Sequence, residues 1–289
     1  MIDLRPPAAR HVKRRLTWSN VGLYASVIVL SLVLLFPIYL IFLIAFVPDK
    51  YTLFSGRPPL LPPTLTLANL QAGLTLSTTP FLPSMYLSLE IAFMVGAIAI
   101  GLGIPTAYGL SRLRPAIAYG VTTVLFIVNM VPSITIAIPI TVPFIKAGLY
   151  GSPVAIALTQ ELLALPITTF LLVGAFQALP RDLESQARVD GANRMRALYG
   201  NLVPLVRPAI VASFLLSWML SWDESTFALI LYNPANPTLP VEIFLAFTGR
   251  GNPDIAVAFS FIATLPVIVL TIFLQKYLKG EDLAVGVRG

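Results

Sequence analysis

The chain has 289 residues, of which 57% are apolar and only 11% are charged, and its mean hydropathy of +0.84 excludes a soluble globular domain. It has no cysteine, which excludes disulfides, thiolate metal sites and cysteine nucleophiles. The single histidine is His11, near the N-terminus, so the apolar segments contain no histidine for metal binding or acid-base chemistry. We therefore predict an all-α polytopic membrane protein without a metal site.

Six apolar segments are long enough to cross a bilayer, which requires about 20 residues of helix. The first of them is too long for the core of a signal peptide and lacks a small-residue cleavage site, so we expect it to be retained. The resulting division is a basic tail over residues 1–21, a membrane domain over 22–278 and a short tail over 279–289. The six segments run approximately over Gly22–Val47, Ser84–Leu110, Ala116–Phe144, Pro153–Gln177, Pro208–Leu231 and Ile255–Tyr277.

Basic residues are distributed unevenly between the loops on the two sides of these segments. With the N-terminus inside, fifteen of the nineteen Lys and Arg residues fall on the cytoplasmic side. Because cytoplasmic loops carry an excess of Lys and Arg, both termini are predicted to be cytoplasmic. The net charge of +6 then reflects orientation and attraction to anionic lipid rather than nucleic-acid binding.

Prolines mark two regions of the first half. The outer loop from Pro48 to Pro83 contains seven prolines and is expected to be extended, as a cover for an external partner or as a simple connector. The third apolar segment contains Pro132, Pro139 and Pro143, each of which removes a backbone donor and kinks a helix. Helix breaks at membrane depth often mark substrate sites in transporters, but kinks also occur in structural spans, so both interpretations of Pro132 stay open.

A polar segment from Pro180 to Pro208 separates the fourth and fifth apolar segments. Pro180 suits the first position of a helix, and Gly191 can adopt the left-handed conformation that ends one. Asn193 can cap a second helix, whose apolar residues recur at helical spacing before Pro204. The segment is therefore predicted to form a helix, a glycine turn and a second helix.

The order of residues in this segment resembles the EAA loop of bacterial ABC importer permeases, in particular those of the maltose-type carbohydrate branch. The D-G-A triplet at 190–192 and Pro204 fit the pattern. The glutamate that opens the motif aligns with Ser185, which leaves Glu184 one position early. Two further stretches resemble family segments in the same relative places, namely AYGLSRLR at the end of the second span and W-D-E at 222–224.

The resemblance implies a type I ABC importer permease in the cytoplasmic membrane of a bacterium. Its implied partners are a second permease, two ATP-binding subunits and an extracytoplasmic substrate-binding protein. ATP and Mg²⁺ are implied to bind the ATP-binding partner, and this chain has no P-loop sequence of its own. The loop is implied to insert into a groove on that partner and to transmit its closure. Ten residues carry this implied role: Glu184, Ser185, Ala187, Asp190, Gly191, Ala192, Arg194, Met195, Leu198 and Pro204.

Acidic residues also fall inside the predicted spans, where ionisable side chains are costly and indicate functional sites by default. Counting about 1.5 Å per helical residue from the span ends puts Glu90, Glu161 and Asp223, with Asn129, in one layer of the outer half of the bilayer. Nearby aromatic rings suit stacking on sugars, although Trp and Tyr near a membrane boundary are more often anchors. The predicted substrate path comprises Glu90, Asn129, Glu161, Trp218, Trp222, Asp223, Glu224 and Tyr232.

Other functions use a similar membrane architecture. An ion-driven secondary transporter would have the same buried acids, but the helix-turn-helix segment favours docking of a motor subunit. A membrane enzyme would have to rely on Asp223 and Glu224. Unpaired acids also suit a polyamine or another cation, since they attract a cation strongly in a low-dielectric cavity. The preferred prediction is a permease that imports a sugar, an oligosaccharide or a polyol, with cation import as the alternative.

Overall fold

The computed structural model describes residues 18–48, 61–75, 81–231, 235–250 and 253–278. Within these ranges the chain is helical and contains no β-strand. Two helical stretches, Ala197–Leu202 and Ala246–Arg250, have π geometry. The α-helices are α1 Trp18–Phe46, α2 Ala68–Thr75, α3 Phe81–Ser111, α4 Pro115–Asn129, α5 Ser133–Lys146, α6 Pro153–Gln177, α7 Asp182–Val189, α8 Arg194–Arg196, α9 Val203–Leu205, α10 Arg207–Asp223, α11 Thr226–Ile230, α12 Leu239–Leu245 and α13 Pro253–Leu278.

Four continuous helices in the described ranges are long and apolar enough to cross a membrane. They occupy Gly22–Phe46, Phe81–Ser111, Pro153–Gln177 and Pro253–Tyr277, within a few residues of four predicted spans. Two bent pairs, α4 with α5 and the helical run from α8 to α9 with α10, raise the number of candidate spans to six if each pair counts as one. The prediction of an all-α polytopic protein is confirmed.

The third predicted span, Ala116–Phe144, is not one continuous helix. α4 ends at Asn129, and α5 leaves it at an angle of 90°. Pro132 directly precedes α5 with φ −55° and ψ 130°, an extended conformation, and it lacks the N–H that would continue the helix. The kink predicted at this proline is therefore a sharp change of direction.

The fifth predicted span also differs from the prediction, because α10 stops at Asp223 and not at Leu231. Glu224 adopts an extended conformation, with φ −73° and ψ 122°, and the short helix α11 follows. The Glu224 carboxylate accepts hydrogen bonds from the backbone N–H groups of Phe227, at 2.9 Å, and Ala228, at 3.2 Å. It thereby caps α11 and stabilises the break.

The centre of the fold is formed by α3, α6 and α10. α3 carries a row of buried small residues, Ala92, Gly96, Ala99, Gly103 and Ala107. Lipid tails are as apolar as leucine, so helices in a bilayer associate through close packing of small residues more than through apolar burial. The row therefore explains why α3 is the helix on which the other two pack.

Two glycines of α3 allow the closest approaches. A β-carbon at Gly96 would lie 2.6 Å from the ring of Phe214 in α10, and one at Gly103 would lie 2.7 Å from the methyl group of Thr168 in α6. The Thr168 hydroxyl lies 2.7 Å from the Ser217 hydroxyl, in a buried hydrogen bond between α6 and α10. The three helices thus form one packed unit.

The first and last long helices pack on each other at the end of α1. The ring centroids of Phe42 and Phe46 lie 6.0 Å and 5.1 Å from that of Phe261 in α13. Most of the remaining length of α1 exposes large apolar side chains, from Leu23 to Ile38. A surface of this size and composition fits contact with lipid.

Candidate functional site

The segment over residues 180–208, here named the coupling segment, folds as two helices joined by a glycine turn, as predicted. Gly191 follows α7 with φ +87°, in the left-handed region. The N–H of Ala192 donates to the carbonyl oxygen of Ala187 at 3.0 Å, which satisfies a carbonyl at the helix end. Asn193 caps α8 by accepting a hydrogen bond at 2.8 Å from the backbone N–H three residues later.

Replacing Gly191 by alanine is expected to destabilise the fold, because the left-handed conformation costs an L-residue roughly 1–2 kcal/mol. Gly200→Ala is the matched control: it lies in the same segment without a positive φ, and an added β-carbon there has no atom within 4 Å. Thermal unfolding in detergent should show a lower melting temperature for Gly191→Ala alone. Equal melting temperatures for the two variants would contradict a strained turn.

Glu184 faces the membrane helices rather than the open side of the coupling segment. Its Oε1 accepts a hydrogen bond from the Tyr108 hydroxyl at 2.7 Å, and its Oε2 accepts one from Arg112 Nε at 2.8 Å. Arg112 Nη1 also donates to the carbonyl oxygen of Phe176, at 3.5 Å, near the end of α6. These contacts join α7 to the ends of α3 and α6.

The contacts of Glu184 determine its ionisation. Burial disfavours the charged carboxylate, but the hydrogen bonds from Tyr108 and Arg112, with the charges of Arg112 and Arg188, outweigh burial and hold the pKa of the Glu184 carboxyl below its usual value. The carboxylate is therefore ionised at neutral pH, and its hydrogen bonds are charge-assisted.

This depressed pKa predicts a pH dependence of stability. A carboxyl whose pKa is lower in the folded state stabilises the fold above its ordinary value of 4.5, and this contribution is lost as the pH falls through the folded-state pKa. The difference in melting temperature between the wild type and Glu184→Gln should therefore be constant near neutral pH and shrink below 4.5. Melting curves across that range provide the test, and a difference independent of pH would contradict the ion pair.

The predicted coupling residues divide between two faces of the segment. Ala187 and Leu198 are buried, and Glu184, Ala192 and Pro204 are half-buried. The buried members anchor the segment under the membrane helices. The exposed members remain available for contact with another subunit; they are Ser185, Asp190, Gly191, Arg194 and Met195.

The second helix of the coupling segment runs from Arg194 to Leu205 and includes the π-helical stretch. It meets α10 at an angle of 82°. Leu198 and Leu202 pack into an apolar cluster with Leu172 and other residues of α3 and α6. The segment is thus held by apolar contacts in its second half and by hydrogen bonds in its first.

A polar cluster lies where α6 passes the break between α10 and α11. The Ser221 hydroxyl donates to Gln160 Oε1 at 2.6 Å, and Gln160 Nε2 donates to Glu224 Oε2 at 3.2 Å. Glu161 follows Gln160 and is 5% exposed, and neither of its carboxylate oxygens has a hydrogen-bond partner among the described residues. Gln160 thus joins α6 to the helix break at Glu224, and the shared layer expected for Glu90, Asn129, Glu161 and Asp223 stays a prediction.

The other predicted polar residues differ in their exposure. Asp223 is exposed at the end of α10, and Glu90 is exposed on α3. Asn129 is half-buried at the end of α4, and its Nδ2 has no partner in the described part of the chain. Tyr232 lies outside the described residues. Whether these side chains contact a substrate stays a prediction.

The two predicted tryptophans stack on each other within α10. The ring planes of Trp218 and Trp222 are 9° apart, and their centroids are separated by 5.2 Å. Trp218 is 1% exposed and packs in a cluster with Phe81 and Phe259, and Trp222 Nε1 donates to the carbonyl oxygen of Ala263 at 3.2 Å. Both rings thus join α10 to α3 and α13.

Several residues of the site are missed by sequence reasoning. Tyr108 and Arg112 enter the sequence analysis only as members of the stretch AYGLSRLR, without a contact or role assigned to either. Gln160 and Ser221 are uncharged polar residues inside apolar segments, and a search for ionisable groups passes over them. An uncharged amide at membrane depth is a usable signal, because it has to find a hydrogen-bond partner there.

The sequence of this chain matches a known family and known transport proteins. Residues 99–280 match the family described as binding-protein-dependent transport system inner membrane component. The inner membrane ABC transporter permease protein YcjP of Escherichia coli K12 is 28% identical over 278 residues, covering 94% of this chain and 98% of that protein. The sulfoquinovosyl glycerol transport system permease protein SmoH of Agrobacterium fabrum is 30% identical over 226 residues, covering 78% and 79%.

A solved structure shows the same fold. A chain from the crystal structure of a bacterial ABC transporter involved in the import of the acidic polysaccharide alginate superimposes with a TM-score of 0.71 at 21% identity, covering 91% of this chain and 98% of that one. The family match extends over more than half of the chain. This protein is therefore an inner membrane component of a binding-protein-dependent transport system, a multi-pass permease of the ABC type.

Proposed function

We propose that this permease imports a carbohydrate and is driven by ATP hydrolysis on separate subunits. SmoH is named for sulfoquinovosyl glycerol, and the structural relative belongs to an importer of alginate; both substrates contain sugar rings. The observation that carries the ATP-driven part is the coupling segment, a helix-turn-helix with a buried side and an exposed side. An ion-driven transporter has no evident use for such an element.

The exposed side of the coupling segment is the proposed contact for an ATP-binding subunit. It combines the apolar side chain of Met195, which is 59% exposed, with the charged Arg194 and the small Ser185. Two ATP-binding subunits with ATP and Mg²⁺, a second permease and an extracytoplasmic substrate-binding protein complete the proposed importer. The coupling segment and both termini then lie on the cytoplasmic side.

The proposed substrate path passes the break between α10 and α11. Asp223 is exposed there, and carboxylates accept hydrogen bonds from sugar hydroxyls. Glu90, Asn129 and Tyr232 extend the proposed path, with Trp218 and Trp222 behind it. Closure of the ATP-binding subunits would move the coupling segment and rock the membrane helices about this path.

Cation import is the second candidate function. It is favoured by Glu161, which is buried without a hydrogen-bond partner among the described residues and would gain more from a cation than from a hydroxyl. The two candidate functions predict different stimulation of ATP hydrolysis. Carbohydrate import predicts stimulation by the binding protein loaded with a sugar, and cation import predicts stimulation by the binding protein loaded with a cation.

Copurification tests the proposal directly. The tagged chain is isolated from its native membrane, bound proteins are identified, and ATP hydrolysis is measured with the binding protein and panels of sugars and polyamines. Recovery of a P-loop ATPase and a second permease with sugar-stimulated turnover is the expected result. Stimulation by a polyamine would select the cation alternative. Recovery of the chain alone, with ion-driven flux in vesicles, would overturn the proposal.

A further inference from the structure

We propose that Tyr108, Arg112 and Glu184 form a positioning link that makes α7 move together with the cytoplasmic end of α3. In this arrangement Glu184 acts within the chain and not at the surface that meets the ATP-binding subunit. The inference rests on the proposed function, since it assigns a route by which movement of the coupling segment reaches the membrane helices.

Both oxygens of the Glu184 carboxylate are already occupied inside the chain. The Tyr108 hydroxyl and Arg112 Nε lie 2.7 Å and 2.8 Å from them, and the Glu184 and Arg112 side chains are 16% and 19% exposed. The Arg112 guanidinium also lies 5.4 Å from the centroid of the Tyr108 ring, which packs edge-on against Phe176 at 6.1 Å. Because most of its side chain is covered, Glu184 presents little surface to a partner subunit.

α7 depends on such a link because it is short. It has eight residues; Ala187 is its one buried side chain, and the partly buried Leu183 packs against the apolar cluster of α3 and α6. Isolated helices of fewer than about 12 residues are marginal in water, so α7 depends on its contacts with the rest of the fold. A half-buried, charge-assisted ion pair is stronger than an exposed one, so the link adds a directional contact to the apolar contacts of Ala187 and Leu183.

The link gives movement of α7 a direct route into the membrane. α3 has 31 residues, a length of about 46 Å, and it packs on α10 at Gly96 and on α6 at Gly103. A displacement of α7 therefore reaches the packed unit of α3, α6 and α10 without passing along the chain through the second coupling helix. Without the link, α7 reaches the membrane helices only through the apolar contacts of Leu183 and Ala187 and through the covalent chain.

The absence of cysteine from the sequence makes this movement measurable. Spin labels at Thr106→Cys on α3 and Gln186→Cys on α7, both exposed positions, report the distance between the two helices in the full chain with its copurified subunits. We expect a narrow distribution in the otherwise unaltered chain, which stays narrow when ATP and Mg²⁺ are added. Arg112→Gln and Glu184→Gln should each widen it about twofold and lower ATP turnover about fivefold, with the double variant no worse than either single one.

Control variants distinguish a role of the link in positioning α7 from a role in docking the ATP-binding subunit and from misfolding of the chain. Arg114→Gln removes an exposed charge two residues from Arg112 and should leave the distribution narrow. Tyr108→Phe removes one hydroxyl and should give a smaller widening, and the exchange of Arg112→Glu with Glu184→Arg should restore part of the order. An unchanged width in Arg112→Gln, or loss of the ATP-binding subunit in Glu184→Gln with a narrow distribution, would overturn the link. If the chain recovers no ATP-binding subunit, the proposed function fails, while the distances still test the link.

Discussion

Replacing Glu224 by alanine is expected to destabilise the junction of α10 and α11 and to stop transport. The substitution removes the cap of α11, which costs about 1 kcal/mol. It also leaves the amide of Gln160 without its acceptor in a part-buried site, at a further cost of about 1–3 kcal/mol. Denaturant unfolding in detergent measures the loss of stability, and uptake into vesicles containing the assembled importer measures transport.

Two neighbouring variants show whether the cap is the cause. Glu224→Gln keeps an oxygen that can accept from the backbone N–H of Phe227 and should recover much of the stability. Asp223→Asn changes the adjacent exposed acid and should alter the free energy of unfolding by less than about 0.5 kcal/mol. If Asp223 lines the substrate path, its variant loses transport but not stability. Equal destabilisation by the two substitutions Glu224→Ala and Asp223→Asn would refute the capping role.

Replacing Gly96 by alanine is expected to have the second large effect. The new methyl group would lie 2.6 Å from the ring of Phe214, and overpacking of this kind costs about 1–3 kcal/mol. Gly101→Ala is the matched control on the same helix, since no atom lies within 4 Å of its β-carbon, and alanine there should stabilise the helix by up to about 1 kcal/mol.

Melting temperatures of the two glycine variants in detergent should therefore shift in opposite directions. Measuring them on the purified chain avoids any contribution from contacts that Gly101 makes in the assembled importer. A lower melting temperature for both variants would show that an added methyl group destabilises α3 at either position. The close approach of Gly96 to Phe214 would then not explain the effect.

The parts of the fold that the sequence predicts are those with local causes. The ends of the coupling helices follow from Gly191 and Asn193, because the conformation of one residue and a bond to the next turn decide them. The four continuous spans follow from long runs of apolar residues, which only a membrane accommodates.

The parts that the sequence does not predict depend on residues distant in the chain. Four polar residues at 223–226 interrupt the apolar residues around Glu224, but the break there is stabilised partly by Gln160, which lies 64 positions away. Pro132 predicts a kink but not its angle of 90°, and α5 packs on α11, which is distant in the chain. The partner of Glu184 lies 72 positions away at Arg112, beyond the reach of any local pattern.

The angle of 82° between the second coupling helix and α10 determines the direction in which a movement of that helix displaces α10. Only about one seventh of a displacement along the axis of that helix projects onto the axis of α10, because the two are nearly perpendicular. Nearly all of the displacement acts perpendicular to that axis, at the Arg207 end of α10. A bound ATP-binding subunit that pushes along the second coupling helix would therefore change the tilt of α10 in the bilayer and not its depth.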